Sequence, residues 1–173
     1  MKLVSTPIRV PEADIHKVAK GKGGLLGKLF VRAPLTELRV EYKKYYRCVF
    51  TYAVNAKLFL FKRKEIQGKI EIIVDAFSGK CGVNNSYPFS LEKVEGRLFL
   101  DGKYDMSENE AHAAAFEFAR RVVLRLARSA AEFGEYSKPE CFYRPHWMAY
   151  YGDPKEKDCR YLPFEADGHT IKR

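Results

Sequence analysis

Residues Lys69 to Val83 read Lys-Ile-Glu-Ile-Ile-Val-Asp-Ala-Phe-Ser-Gly-Lys-Cys-Gly-Val. The β-branched run Ile70–Asp75 predicts a buried strand, because such side chains pack well on a pleated surface. Ser78-Gly79 predicts the turn that ends it. Gly68 stands just before the strand.

Upstream, Leu38, Val40 and Tyr42 alternate with Glu37, Arg39, Glu41 and Lys43. A period of two predicts a strand with one face buried. Tyr45 to Val54 continues in the same style. One unbroken strand of the combined length would be unusual, so a bend or bulge is expected between Lys43 and Tyr46. Asn55-Ala56-Lys57 reads as a turn. Leu58–Phe61 reads as a short apolar strand, stopped by Lys62-Arg63-Lys64. Asn84-Asn85-Ser86 and Pro88 mark a loop, and Asp101-Gly102 a tight hairpin or an ordered loop.

Two helices are expected. Pro11 with Glu12 and Asp14 suits a helix start, and three glycines in positions 21–24 should end that helix. Ser107 to Gly134 carries the stronger signal. Ser107 and Glu110 form a capping box, in which each side chain satisfies an orphan backbone N–H. Ala111, Ala115, Phe118, Val122, Leu126 and Ala130 make an apolar stripe at helical spacing. Gly134 is the expected left-handed cap. Arg121, Arg125 and Arg128 fall on another side and read as a solvated face.

Past the helix, Cys141–Tyr151 reads as a second aromatic strand, with Pro145 arguing for an edge or a bulge. Cys159–Phe164 is its return strand, followed by a turn at Asp167-Gly168. Tyr45–Phe50 can be laid over Phe142–Trp147, matching an aromatic, Tyr-Arg and a second aromatic. Val74-Asp75-Ala76 before Gly79 then matches Phe164-Glu165-Ala166 before Gly168. Self-similarity of this kind implies duplicated architecture. The expectation is a single compact domain over 1–173, with a repeat of 35–83 and 141–170 joined by a helix over 108–133. Its fold class would be α+β: two related helix-plus-antiparallel-β units, with the long central helix packed on curved sheet.

The two aromatic strands and Val74-Asp75-Ala76-Phe77-Ser78-Gly79-Lys80 resemble PepSY-like and cystatin-like small α+β units. In the second copy Glu165 replaces the acid and Pro163 lies inside the strand. The resemblance implies binding or inhibition rather than catalysis, and it transfers no functional residue.

Charge is unevenly placed. Residues 1–68 hold 15 Lys and Arg against 5 Asp and Glu, whereas residues 69–173 hold 16 against 17. The whole net charge of +9 therefore lies in the first two-fifths, where an anionic partner would be met first. Arg39, Lys43, Lys44 and Arg47, with Tyr46 among them, are the candidate ligand- or polyanion-binding residues, since cations hold phosphates and aromatics stack bases. No RNP1 sequence accompanies them.

Other motifs point to chemistry less well. Gly21–Lys28 lacks the glycine spacing and the hydroxyl of a phosphate-binding loop. Cys141, His146, Cys159 and His169 are ligand types without a zinc spacing. Asp75 and Glu165 are best read as acceptors for turn N–H groups. Cys48, Cys81, Cys141 and Cys159 show no CxxC spacing and read as free thiols in a reducing compartment. No apolar run suits a signal peptide or a membrane span.

The favoured reading is thus a non-catalytic binding or assembly module of the cytoplasm, with no catalytic residue, metal or cofactor assigned and no membrane contact. Its partner would be another protein or a second copy. Nucleic-acid or polyanion binding through residues 1–68 ranks second. A small enzyme with a cysteine or carboxylate centre ranks third.

Overall fold

A computed structural model describes residues 1–21, 33–58, 62–84, 90–99, 105–127, 131–153, 159–168 and 171–172. Residues 22–28 of the glycine-rich stretch that failed as a phosphate-binding loop and the 101–102 turn lie outside them, as does His169. The described residues form nine strands and two helices. These are β1 (Lys2–Ser5), α1 (Glu12–Lys20), β2 (Leu35–Leu58), β3 (Lys62–Asp75), β4 (Cys81–Asn84), β5 (Glu92–Glu95), α2 (Glu108–Ala127), β6 (Ala131–Tyr136), β7 (Glu140–Tyr151), β8 (Arg160–Glu165) and β9 (Ile171–Lys172).

The chain divides into two compact units. Unit 1 is Met1–Lys43, Phe89–Asp101 and Tyr143–His169, and unit 2 is Lys44–Pro88, Gly102–Phe142 and Thr170–Arg173. In unit 1, β1 pairs antiparallel with β5 and parallel with β7, and β8 pairs antiparallel with β7. In unit 2, β2 is bonded to β3 and β6, β3 to β4, and β4 to β9, all antiparallel. β2 and β7 are themselves neighbours, and each runs from one unit into the other.

This corrects the expected fold class. The protein is mainly β with mixed parallel and antiparallel pairing, not two helix-plus-sheet units joined by a long central helix. The capping box forms: the Ser107 N–H donates to Glu110 Oε2 at 2.9 Å, and the Glu110 N–H to Ser107 Oγ at 3.4 Å. The helix nevertheless stops at Ala127, and the residues expected to finish it pair with β2 as Ala131↔Val54, Glu132↔Ala53 and Phe133↔Tyr52. Helix propensity is worth only tenths of a kcal/mol per residue. A strand edge left without partners forfeits several backbone hydrogen bonds.

The β2 strand is uninterrupted through Lys43–Tyr46. β2 runs 24 residues, and β3 pairs with it from Tyr45↔Asp75 to Leu58↔Lys62. The turn expected at Asn55–Lys57 is strand.

Alternation along β2 and β3 decides what each face of unit 2 becomes. Cys48, Phe50, Val54, Ile70, Ile72 and Val74 turn toward α2, which answers with Ala111, Ala115, Ala119 and Val123. Three alanines at i, i+4 and i+8 keep the helix close to the sheet. Burying Phe50, Ile72 and Val74 contributes about 1.5–3 kcal/mol each. The apolar stripe predicted for the helix is thus confirmed at Ala111 and Ala115 but rotated beyond them, with Phe118 and Val122 at its margin.

Gly68 sits opposite Tyr52 on the helix-facing side. A Cβ there would lie 2.5 Å from Tyr52 Oη and 2.6 Å from Cζ, so the tyrosine ring lies over the glycine. An aromatic covering a strand glycine restores the packing that the missing side chain would provide. Gly68→Ala should therefore cost about 1–3 kcal/mol by overpacking. The same change made in Tyr52→Ala should cost less than half as much in urea melts, as a double-mutant cycle measures.

The strand ends invite comparison. The Ala76 N–H donates to the Lys44 carbonyl and the Ala166 N–H to the Pro145 carbonyl. Both alanines are fully buried, and Gly79 and Gly168 follow at φ 65° and 68°. Matched on these turns, Tyr45 corresponds to His146, four residues beyond the Phe142 that aromatic matching selects. The strand ends and the aromatic blocks therefore align in different registers.

Candidate binding face

The five residues singled out from the sequence do not gather into one site. In unit 1, Arg39 Nε donates to Glu41 Oε1 at 2.7 Å and Nη1 to Glu37 Oε1 at 2.9 Å. Burial opposes its charge, but these two carboxylates prevail and hold its pKa above the ordinary value. Lys43 stands over the Phe99 ring, 4.7 Å from its centre. In unit 2, Lys44 Nζ donates to Asp105 at 2.9 Å and its pKa is raised; burial opposes this, and the bond to Asp105 outweighs it. Arg47 Nη2 donates to Glu71 at 2.9 Å and Nη1 to Glu140 at 3.2 Å, and Glu71 foremost raises its pKa. Tyr46 is buried and donates through Oη to the Met106 carbonyl. Each side chain thus has a structural engagement of its own.

Unit 1 also holds two buried polar clusters that strand alternation did not announce. Arg144 is wholly buried and makes a bidentate pair with Asp167, Nε to Oδ2 and Nη2 to Oδ1, both 2.8 Å. Thr6 Oγ1 donates to the same Oδ2 at 2.8 Å, and Glu165 lies 3.5 Å from Arg144 Nη2. Glu41, 2% exposed, accepts from Arg39 and from Tyr150 Oη at 3.0 Å. Asp167 was legible only as a turn residue, because the chain separates it from Arg144 by 23 positions. Asp75 does accept turn N–H groups, from Phe77 at 2.9 Å and Ser78 at 3.3 Å. Glu165 instead faces Arg144.

Three thiols are pushed away from reactivity. Burial raises Cys48 to about 12, and it also raises Cys81 and Cys141. A nucleophilic cysteine needs the opposite shift. Among the described residues no three His, Cys, Asp or Glu side chains group as metal ligands, and no helix is long and apolar enough to cross a membrane.

Among the described residues, the helix-free face of unit 2 offers a surface shaped for a ligand. Here Arg47, Val49, Thr51 and Ala53 of β2 and Glu65, Gln67, Lys69 and Glu71 of β3 are half-buried or exposed, whereas Tyr45 and Ile73 nearer the strand ends are buried. Thr51 and Ala53 on β2, Gln67 and Lys69 on β3, and Glu132 and Gly134 on β6 line an open groove of about 470 Å³. Its floor is low because the side chains there are small. A Cβ on Gly134 would meet Thr51 Oγ1 at 2.7 Å. Lys69 and Gln67 stand on one side and Glu132 on the other. Such a face offers opposite charges across a trough that runs along a strand. No protein-family model, characterised protein or solved structure matches the chain.

Two stability predictions follow from the buried clusters. Asp167→Asn leaves a buried guanidinium without its charge partner and should cost about 3–5 kcal/mol in chemical denaturation. His146 is buried, and its Nδ1–H donates to the Arg144 carbonyl at 3.1 Å. Burial chiefly, with Lys43 beside it, lowers its pKa from 6.5 to about 4. The unfolded chain therefore binds more protons between these values. Its contribution to stability is complete above pH 6.5 and should fall by about 3 kcal/mol as pH drops to about 4. His146→Gln should lack that slope.

Proposed function

We propose that this protein is a binding module that holds an extended polypeptide segment along the β6–β2–β3 groove of unit 2. The observation that carries the reading is a sheet face left half-exposed and floored by Thr51, Ala53 and Gly134, so that a second backbone can approach closely. Lys69 and Glu132 on opposite sides provide the charge pair that orients such a segment. The thiols support this over covalent chemistry, because burial disfavours thiolate at Cys48, Cys81 and Cys141. The resemblance of Val74–Lys80 to PepSY-type units points the same way, and four free cysteines suit a reducing compartment such as the cytoplasm. The segment belongs to a partner protein or to a second copy.

Amide-shift mapping tests this, using a library of extended peptides and a dilution series of the chain alone. Shifts should centre on residues 51–53, 67–69 and 132–134. Ala53→Arg fills the trough and should abolish them while leaving the thermal midpoint within a few degrees. Shifts confined to other surfaces, or unchanged by Ala53→Arg, would refute the groove.

A further inference from the structure

The outer face of α2 is electrically divided. Glu108, Glu110 and Glu117 lie in its first half, whereas Phe118–Ala127 holds Arg120, Arg121 and Arg125 and no acid. All three arginines are exposed, and so is Leu124. The inner face, Ala111, Ala115, Ala119 and Val123, is buried on the sheet. At 3.6 residues per turn Leu124 falls between Arg120 and Arg121, with Arg125 beside them.

Helix energetics accounts for one of these arginines. Arg125 stands in the last turn, where a cation complements the negative end of the helix dipole. Arg120 and Arg121 lie further back, and the dipole effect fades within the last turn. Arg121 and Arg125 are also four positions apart, a spacing at which like charges destabilise a helix. Partners on the helix itself offset little of this. Arg120 Nε is 3.8 Å from Glu117 Oε2, with both side chains more than half exposed. Arg121 Nε donates to the Glu117 carbonyl at 3.3 Å, an uncharged acceptor. Arg47, by contrast, is held by the carboxylates of Glu71 and Glu140.

We infer that the second half of α2 contacts the phosphate backbone of a nucleic acid through Arg120, Arg121 and Arg125. A guanidinium binds phosphate with paired N–H bonds, and Arg121 and Arg125 are about 6 Å apart along the helix axis. The net charge of +9 draws a polyanion in from a distance. A protein partner needs an apolar centre to its interface. Among the described residues of α2, Leu124 is the one large apolar side chain exposed, at 38%. A helix lying on a membrane buries its apolar face in lipid, and the apolar face of α2 is already taken by the sheet. The acids of the first turn repel phosphate, so the helix meets the backbone by its second half alone. Contacts of this kind position a protein without reading sequence. The inference stands apart from the peptide groove, which involves none of these residues.

Fluorescence anisotropy of labelled 20-base-pair DNA and RNA duplexes, titrated with the full chain between 50 and 200 mM KCl, tests it. The triple variant Arg120→Ala, Arg121→Ala, Arg125→Ala should make the slope of log K against log salt shallower by about 2.7. A charge-matched control (Lys2→Ala, Arg9→Ala, Lys17→Ala) should change it by less than 1. Replacing the same three arginines by lysine should restore the slope, because the charge returns. If the triple alanine variant does not fold, Arg121→Gln with Arg125→Gln should lose about 1.8. This loss with either duplex supports the inference, and the duplex that shows it names the ligand. Equal losses in helix and control variants would overturn it, as would no binding of either duplex by the unaltered chain at 50 mM. Binding to poly-glutamate but to neither duplex would also overturn it and assign the arginines to an acidic protein.

Discussion

The structure depends on keeping one long strand hydrogen-bonded along both edges. β2 spans 24 residues and takes part in both units. Every residue in it carries a donor and an acceptor, and those that are buried must find partners. β3 supplies them on one side from Tyr45 to Leu58. β7 is another neighbour, and β6 bonds to the stretch Phe50–Val54. This demand explains why Ala131–Tyr136 is strand although part of it was expected to finish the helix.

The same strand separates the chemistry of its two faces in unit 2. Even-numbered residues build a dry core with the alanine face of α2. Odd-numbered residues carry the ion pairs of Arg47 and the small side chains of the groove. A shift of one residue in register would exchange these faces, so core and binding surface are specified together. Polar groups buried in unit 1 are handled differently. Arg144 and Asp167 neutralise each other, and His146 stays uncharged because burial opposes protonation. Such buried networks favour one arrangement over its competitors more than they add net stability.

Local signals were read well where the cause was local. The start of α1, the capping box of α2, the Asp75 turn and the strand character of 35–54 and 70–75 all follow from neighbouring residues. The candidate cations were less legible. Arg39 finds Glu37 and Glu41 two positions away on its own strand, which alternation could have suggested. Lys44 meets Asp105 and Arg47 meets Glu140 across 61 and 93 positions. Only the fold brings those carboxylates to them.

What the sequence determined unaided is the apolar periodicity, the caps, the turn residues and the uneven charge. These depend on groups within a few residues of one another. Tertiary structure decided where α2 stops, which strand borders β2, how Arg144 finds Asp167 and where an open trough remains. Those outcomes rest on hydrogen bonds and packing between distant parts of the chain, and distant pairing leaves little trace in local spacing.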